Sequence, residues 1–483
     1  MEISLKKIIF VQDISNAKLM EFKKLIDRGA ELERMNEALH REDTQFIVIY
    51  GRRRIGKSEL IKRIVKARHK AIYFLSDTSS ETVQRVAFSK VAASVIDGFD
   101  KVIYPDWETL FRSFNNQLSE RILVCLDEFP YLVKSCDVLP SIIQKLLNEK
   151  ILKFDLVLCG SSQQLMHGYV LNRQSPLYGL ANEIMKMQPI PAQYMSMAME
   201  CDAVQAVEEY AIWGGVPRYW ELRRDYPDKE TAIRKVLLDP QGPLIEEPQR
   251  LLRDDMRDTV QASTLLTIIG NGANKLSEIA NRAGKDSSTI SEPLSKLREL
   301  GYVSREVPFG ESPKKSKKGI YHINDSLLRF HYQFIVPYRS ILELGRMDIV
   351  MQVVLSQLPQ FIGQCWELLC REYVSGNIID GIAYNVASRW WGKIFSPEYK
   401  DDKMVELDVV AESIDKKHIL VGECKWTHDE DADRLMNVLE QKAKYLPFIK
   451  KGQEIHLVLF LKESPTHCAK GMRVFLPSDV MKV

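Results

Sequence analysis

The chain has 483 residues, too many for one compact core, and at roughly 100–200 residues per domain it should form about three or four. Hydrophobic residues make up 45% and charged residues 27%, which excludes collagen-like, mucin-like and wholly disordered classes. The net charge of +2 neither demands nor excludes a nucleic-acid partner, because local patches matter more than the sum. No apolar run approaches the ~18–20 residues of a membrane span, and Met1–Lys6 lacks a secretory pattern. The eight cysteines form no Cys-x-x-Cys pair, and Cys125, Cys159 and Cys424 sit in apolar runs as small buried hydrophobes do. A reducing cytoplasm and no membrane are therefore expected.

In chain order, residues 1–20 read as an extended start and a polar link. The pattern from about Phe22 to His40 is helical, with Leu32, Met35 and Leu39 on one stripe. Gln45–Tyr50 is a β-branched run that reads as a buried parallel strand. A helix is expected from about Lys57 to Arg68, and further strands at Ala71–Leu75, Ile122–Leu126 and Leu156–Gly160. Strands alternating with helical patterns over 45–195 argue for an α/β layered domain. Residues 196–245 read as helical, broken by Gly214-Gly215-Val216-Pro217.

Between 250 and 345 the pattern changes. Leu276–Ala283 predicts a short helix, Gly284 a turn, and a second helix follows with Ser287 as its cap. Ile290, Leu294, Leu297 and Leu300 form its apolar stripe and Gly301 closes it. Two extended runs, 301–307 and 320–323, flank a basic turn holding Lys314, Lys315, Lys317 and Lys318. Helix, turn, helix and two-stranded wing describe a winged helix, used either to read DNA or only to pack domains. In the first case Ser288, Thr289, Ser291, Ser295, Lys296 and Arg298 would face the groove. Beyond 346, a helix over Phe361–Tyr373 precedes strands at 405–411, 418–424 and 455–461, a separate α/β module.

Gly51-Arg52-Arg53-Arg54-Ile55-Gly56-Lys57-Ser58 matches the phosphate-binding loop G-x-x-x-x-G-K-[ST], after a strand and opening a helix. Glycines let backbone N–H groups curl around phosphate oxygens, and the helix N-terminus adds a positive dipole end. Lys57 is the candidate for the β- and γ-phosphates of ATP, and Ser58 for Mg²⁺. Ile122–Leu126 delivers Asp127 and Glu128 to its C-terminal end, Asp127 for the magnesium shell and Glu128 to polarise the attacking water. After the next strand, Ser161 or Ser162 could sense the γ-phosphate or simply cap a helix. Near the other end, Asp408 in one strand and Glu423-Cys424-Lys425 in the next supply two acids and a lysine, with Glu423 and Lys425 on one face. Such a set suits metal-assisted phosphodiester cleavage, with Asp408, Glu423 and Glu367 on the preceding helix as metal ligands and Lys425 orienting water. A salt-bridged cluster on a sheet edge would show the same residues. The nine histidines show no His-x-x-x-His spacing, and Trp390-Trp391 reads as packing.

Asp27–Leu32, the triple-arginine loop, Leu126-Asp127-Glu128, Gly160-Ser161-Ser162, Ser175–Gly179 and Gly214–Tyr219 together resemble the archaeal-type P-loop ATPases of the AAA+/STAND kind. One departure is Leu180, where that family often carries an arginine; Arg173 or Arg218 could take its place. The Asp408…Glu423-x-Lys425 pattern, with Gln441 and Tyr445, resembles the PD-(D/E)XK nucleases, and the same region resembles a domain of unknown function that accompanies these ATPases. The resemblance implies an α/β multidomain chain: a P-loop core at 1–195, a helical lid at 196–245, a winged helix at 246–345 and a restriction-endonuclease-like domain at 346–483. It implies ATP and Mg²⁺ as cofactors, a nucleic-acid partner (DNA), and work through neighbouring copies as a homo-oligomer. The expected function is DNA cleavage under nucleotide control; the alternative is a nucleotide-controlled switch or scaffold whose nuclease-like domain binds without cleaving.

Overall fold

The structure, a computed structural model, describes residues 27–394, 403–467 and 472–482. Residues 1–20 and Cys468 lie outside them. The chain divides into two compact units, one made of the described residues to Ile190 with Val216–Arg218, the other of Pro191–Gly215 with Tyr219 onward.

The first unit is built on five strands: β1 (Phe46–Tyr50), β2 (Ala71–Leu75), β3 (Ile122–Asp127), β4 (Phe154–Gly160) and β5 (Glu183–Lys186). They form one all-parallel sheet in the order β2-β3-β4-β1-β5. β3 and β4 are buried along their whole length, as strands covered by helices on both faces must be. Phe88 meets Phe74, Trp107, Phe111 and Phe114 edge-on at 5.5–6.0 Å and anchors one face. The carboxyl ends of β1, β3 and β4 lie side by side, so everything that follows these strands gathers at one edge. β5 was not expected; it is a four-residue edge strand with two exposed residues, too short and too polar to announce itself.

The second unit opens with the short helix Met195–Met199, followed by helices Ala203–Trp213 and Pro217–Arg224, whose first two residues belong to the first unit, and continues to the predicted helix–turn–helix, Leu276–Ala283 and Ser287–Glu299. Gly284 turns the chain at φ 62°. The cap of the second helix is Asp286 rather than Ser287, which lies one residue inside. Ile290, Leu294 and Leu297 are buried, while Ser288, Thr289, Ser291, Ser295 and Arg298 stay exposed. β6 (Val303–Glu306) and β7 (Ile320–Ile323) pair antiparallel, and Arg305 donates to the carbonyls of Pro313 and Ser316, tying down the loop between them. Lys318 pairs with Glu311 at 2.7 Å, which partly neutralises the basic tip.

A 28-residue helix, Met347–Val374, then leads through a small hairpin, β8 (Ile378–Ile379) and β9 (Ile382–Ala383), to a second five-stranded sheet. Its strands are β10 (Ser388–Ile394), β11 (Lys403–Glu412), β12 (His418–Lys425), β13 (Glu454–Leu461) and β14 (Arg473–Phe475), paired in chain order. β10, β11 and β12 are antiparallel; β12, β13 and β14 run parallel, with helix Ala432–Ala443 as the crossover. Trp390 is buried against Phe448, in keeping with a packing role. All seven cysteines among the described residues are free thiols. No helix among the described residues is long and apolar enough to cross a membrane.

His331 lies buried in this unit, and burial followed by the nearby Arg339 charge pushes its imidazole down to about 4. Its folded value is depressed, so the unfolded chain takes up a proton first as pH falls below ~6.5. The native state should therefore lose roughly 3 kcal/mol from this group between about pH 6.5 and 4. Urea midpoints at pH 7 and pH 5 should differ less in His331→Gln than in the native chain; equal differences would assign the acid sensitivity elsewhere.

Candidate functional site

The loop between β1 and helix Lys57–Lys66 curls at the carboxyl edge of the first sheet. Gly51 sits at φ 149°, and a Cβ there would fall 2.6 Å from the Met187 carbonyl oxygen and 2.9 Å from Ile55 Cδ1. Gly56 turns at φ 95° with open space around it, and Arg54 at φ 67°. Lys57 Nζ donates to the carbonyls of Gly51 and Arg52, both at 2.9 Å, so the ammonium lies inside the curl of the loop. Ser58 Oγ donates to Asp127 Oδ2 at 2.6 Å, and Tyr73 Oη donates to the same oxygen at 2.7 Å. Burial and that hydrogen bond push the Tyr73 phenol well above its ordinary range, so it stays a donor. A hydroxyl and a fully buried carboxylate form a hard oxygen pair, the donor set Mg²⁺ prefers.

Glu128 follows Asp127 in a left-handed conformation, φ 54°, which turns its side chain away from the strand direction. Its carboxylate accepts from Ser161 N at 3.2 Å and Ser161 Oγ at 2.9 Å, across from the end of β4. Ser162, selected from the sequence, accepts from Leu165 N and caps the next short helix. Leu180 packs on the apolar core of this unit, where an arginine would have no business. Sequence reasoning passed over Arg28 as a site residue: its buried guanidinium donates to Ile55 O at 3.1 Å and Gln188 O at 2.8 Å, and so fixes the loop from behind. The only signal was its place in the segment before β1. Gly51→Ala should destabilise the chain by about 3 kcal/mol, because the clash is with backbone and the φ is strained. Gly56→Ala, with strain alone, should cost less; denaturant midpoints of the two variants check the order.

The second constellation lies in the second unit. β10 and β11 shift register between Ser388 and Trp390, which oppose Val410 and Leu407, so β11 carries a bulge at 408–409. The bulge begins at Asp408, which continues the alternation of Met404 and Glu406 onto one cleft. Asp408, Glu423 and Lys425 line one open cleft of about 1120 Å³ together with Glu406, Gln441, Lys442 and Tyr445. Asp408 Oδ2 accepts from Cys424 N at 2.8 Å. Burial and the neighbouring Glu423 charge push its carboxyl up. Burial works on Glu423 in the same direction, but Lys425 at 2.9 Å and Lys442 at 2.8 Å outweigh it and hold Glu423 below the ordinary range. Lys425 loses to burial but gains more from Glu423 and Asp408, so its ammonium is held above the usual value. Lys442, which the sequence offered only inside the Gln441–Tyr445 element, thus becomes part of the site.

Glu367 does not line the cleft. It stands behind Asp408 on helix Met347–Val374, and burial followed by the Asp408 charge lifts its carboxyl to about 7 against the pull of Arg389 and Arg371. Arg371 also donates to Asp408 O at 3.0 Å and pairs with Glu306 of β6 at 3.5 Å. Two acids whose charged forms are disfavoured by burial and by each other are a pair that a divalent cation would relieve.

Residues 25–221 match an ATPase domain found predominantly in Archaea, and residues 331–444 match a domain of archaeal and bacterial proteins of unknown function. An uncharacterized protein of Methanocaldococcus jannaschii, MJECL04, is 30% identical over 431 residues, covering 87% of this chain and 92% of that protein. Among solved structures, the Aeropyrum pernix ORC2 protein in its ADPNP-ADP complexes covers 69% of this chain and 96% of its own at 11% identity and TM-score 0.45. The Thermotoga maritima RuvB Holliday junction branch migration motor covers 61% and 92% at 17% identity and TM-score 0.32. With its P-loop, its Asp127-Glu128 edge and a relative matched along nearly the whole length, the chain belongs to the predominantly archaeal ATPase family that carries this C-terminal domain of unknown function.

Proposed function

We propose that the chain binds ATP with Mg²⁺ at the Gly51–Ser58 loop, engages DNA through a winged helix at 276–323, and cleaves DNA with a metal-dependent C-terminal site under nucleotide control. Lys57 would hold the β- and γ-phosphates, with the backbone N–H groups of Arg52, Arg53, Arg54 and Ile55 around them. Ser58 and Asp127 would hold the metal, and Glu128 would orient and deprotonate water, its carboxylate kept in line by Ser161. In the cleft, Asp408 and Glu423 would hold the cleaving metal, with Glu367 behind them. Lys425 would orient the attacking water. The observation that carries the reading is the meeting of Asp408, Glu423 and Lys425 on one cleft although 14 and 16 residues separate the two later ones from Asp408 within a bulged sheet. Free cysteines, all buried among the described residues except Cys201, support a reducing cytoplasm.

One observation favours the second reading, a nucleotide-controlled switch that binds without cleaving: Glu423 is already compensated by two lysines and Glu367 faces two arginines. The experiment separating them is cleavage of circular, linear and single-stranded DNA with Mg²⁺ or Mn²⁺, with and without ATP, for the native chain, Asp408→Ala and Lys57→Ala. Cleavage lost in Asp408→Ala and dependent on Lys57 carries the first reading. Intact ATP binding with no cleavage on any substrate carries the second.

A further inference from the structure

Three side chains at the far end of the C-terminal sheet converge in a way no sequence spacing announces. β12 and β13 run parallel with His418 opposite Glu454 and Leu420 opposite His456. Alternation then puts His418, Glu454 and His456 on one face, and Glu423 and Lys425 on the other. The five residues from His418 to Glu423 also set the two groups roughly 16 Å apart along the strand. None of the three lines the cleft described above.

Their donor atoms lie within 4.8 Å of one another. His418 Nδ1 is 3.0 Å from His456 Nε2, His418 Nδ1 is 3.5 Å from a Glu454 carboxylate oxygen, and His456 Nε2 is 3.9 Å from the other. Metal–ligand bonds of 2.0–2.1 Å in a tetrahedron require ligand atoms roughly 3.3 Å apart, and the three separations bracket that edge. The backbone beneath is fixed: His418 N donates to Ser413 Oγ, and Glu454 N donates to Lys417 O at 2.8 Å. Both imidazoles are about three-quarters covered, at 24% and 30% exposure, so their ring positions are constrained while the exposed Glu454 can swing to close a shell.

We propose that His418, Glu454 and His456 bind a divalent transition-metal ion of the zinc class. Two imidazoles and one carboxylate suit zinc, nickel or copper; Mg²⁺ and Ca²⁺ prefer all-oxygen shells. Three protein ligands leave a fourth position for water. The ion replaces the direct imidazole–imidazole hydrogen bond and joins two strands that the chain connects only through the crossover helix.

The test uses the full chain stripped by chelator and titrated with Co²⁺, followed by visible absorption, and with Zn²⁺ by competition against a chromophoric chelator. The native chain and a control with the cleft disabled, Asp408→Asn with Glu423→Gln, should each take up one Co²⁺ with the intense visible bands of a four-coordinate site. His418→Gln with His456→Gln should weaken uptake by more than about 100-fold, beyond the 10–100-fold typical of outer-shell changes. Glu454→Gln, at an exposed position where folding is not at issue, should weaken it by at least tenfold on the same reasoning. A cobalt signal that survives the double histidine variant, vanishes with the cleft variant, or is absent from the native chain overturns the proposal.

Discussion

Glu128→Gln is expected to leave ATP binding intact and to slow hydrolysis by about 10²–10⁴-fold, the contribution of a positioned general base. Glutamine keeps the size of glutamate, and its carbonyl oxygen still accepts from the Ser161 N–H, so the left-handed turn at Glu128 survives. The residues that would meet nucleotide keep their contacts: Lys57 donates to the loop carbonyls, Ser58 donates to Asp127, and Asp127 meets Glu128 only through the backbone N–H, which the substitution leaves in place. What disappears is a carboxylate able to take a proton from water. Steady-state phosphate release and equilibrium binding of ATP, measured on the same preparation, separate the two quantities. Turnover within tenfold of native would assign the base to another residue.

The second large effect is expected from Asp408. Under the proposed cleavage function, Asp408→Ala should lower DNA cleavage by at least about 10³-fold, the rate equivalent of the several kcal/mol a metal contributes to charge stabilisation at the scissile phosphate. Stability should move much less. Removing the carboxylate leaves the Cys424 N–H without its acceptor, a loss of about 1–3 kcal/mol. It also relieves the repulsion from Glu423 that burial intensifies, which acts in the opposite direction. Asp408→Asn keeps the acceptor and should fold like the native chain while losing cleavage to a similar degree. Unfolding midpoints measured beside cleavage rates distinguish a lost ligand from a lost fold.

The first unit was largely legible because its signals are local. A buried parallel strand is an unbroken apolar run, and β1 to β4 each contain one, which in β1, β3 and β4 runs up to a glycine or an acid. The P-loop is one contiguous segment, so its chemistry could be placed before any tertiary contact was known. Arg28 was missed as a site residue, and Ser161 was offered only as a phosphate sensor or cap, because the roles they take depend on which strands are neighbours: β4 lies beside β3, and β5 carries the chain to Gln188 beside the loop. In the second unit, Asp408 and Glu423 stood out through their apolar flanks, but the bulge beside Asp408 leaves no mark in the residues themselves. Lys442 and the His418–Glu454–His456 group are tertiary outcomes of the crossover between β12 and β13, invisible to any search by spacing.

The ribbon formed by β6 and β7 does not end in solvent. Phe309, just beyond β6, donates its N–H to Arg389 O at 2.8 Å and meets Phe448 edge-on at 5.1 Å, packed against the core that holds Trp390. Expression boundaries should respect this. A fragment stopping near residue 345 would carry an orphaned phenylalanine, and one starting there would open a hole beside Trp390, so both halves invite aggregation even though each has a recognisable fold. The second unit, from Pro191 onward, is better handled as one indivisible piece, and homologues that carry one of the two parts without the other should show a polar residue where Phe309 or Phe448 stands.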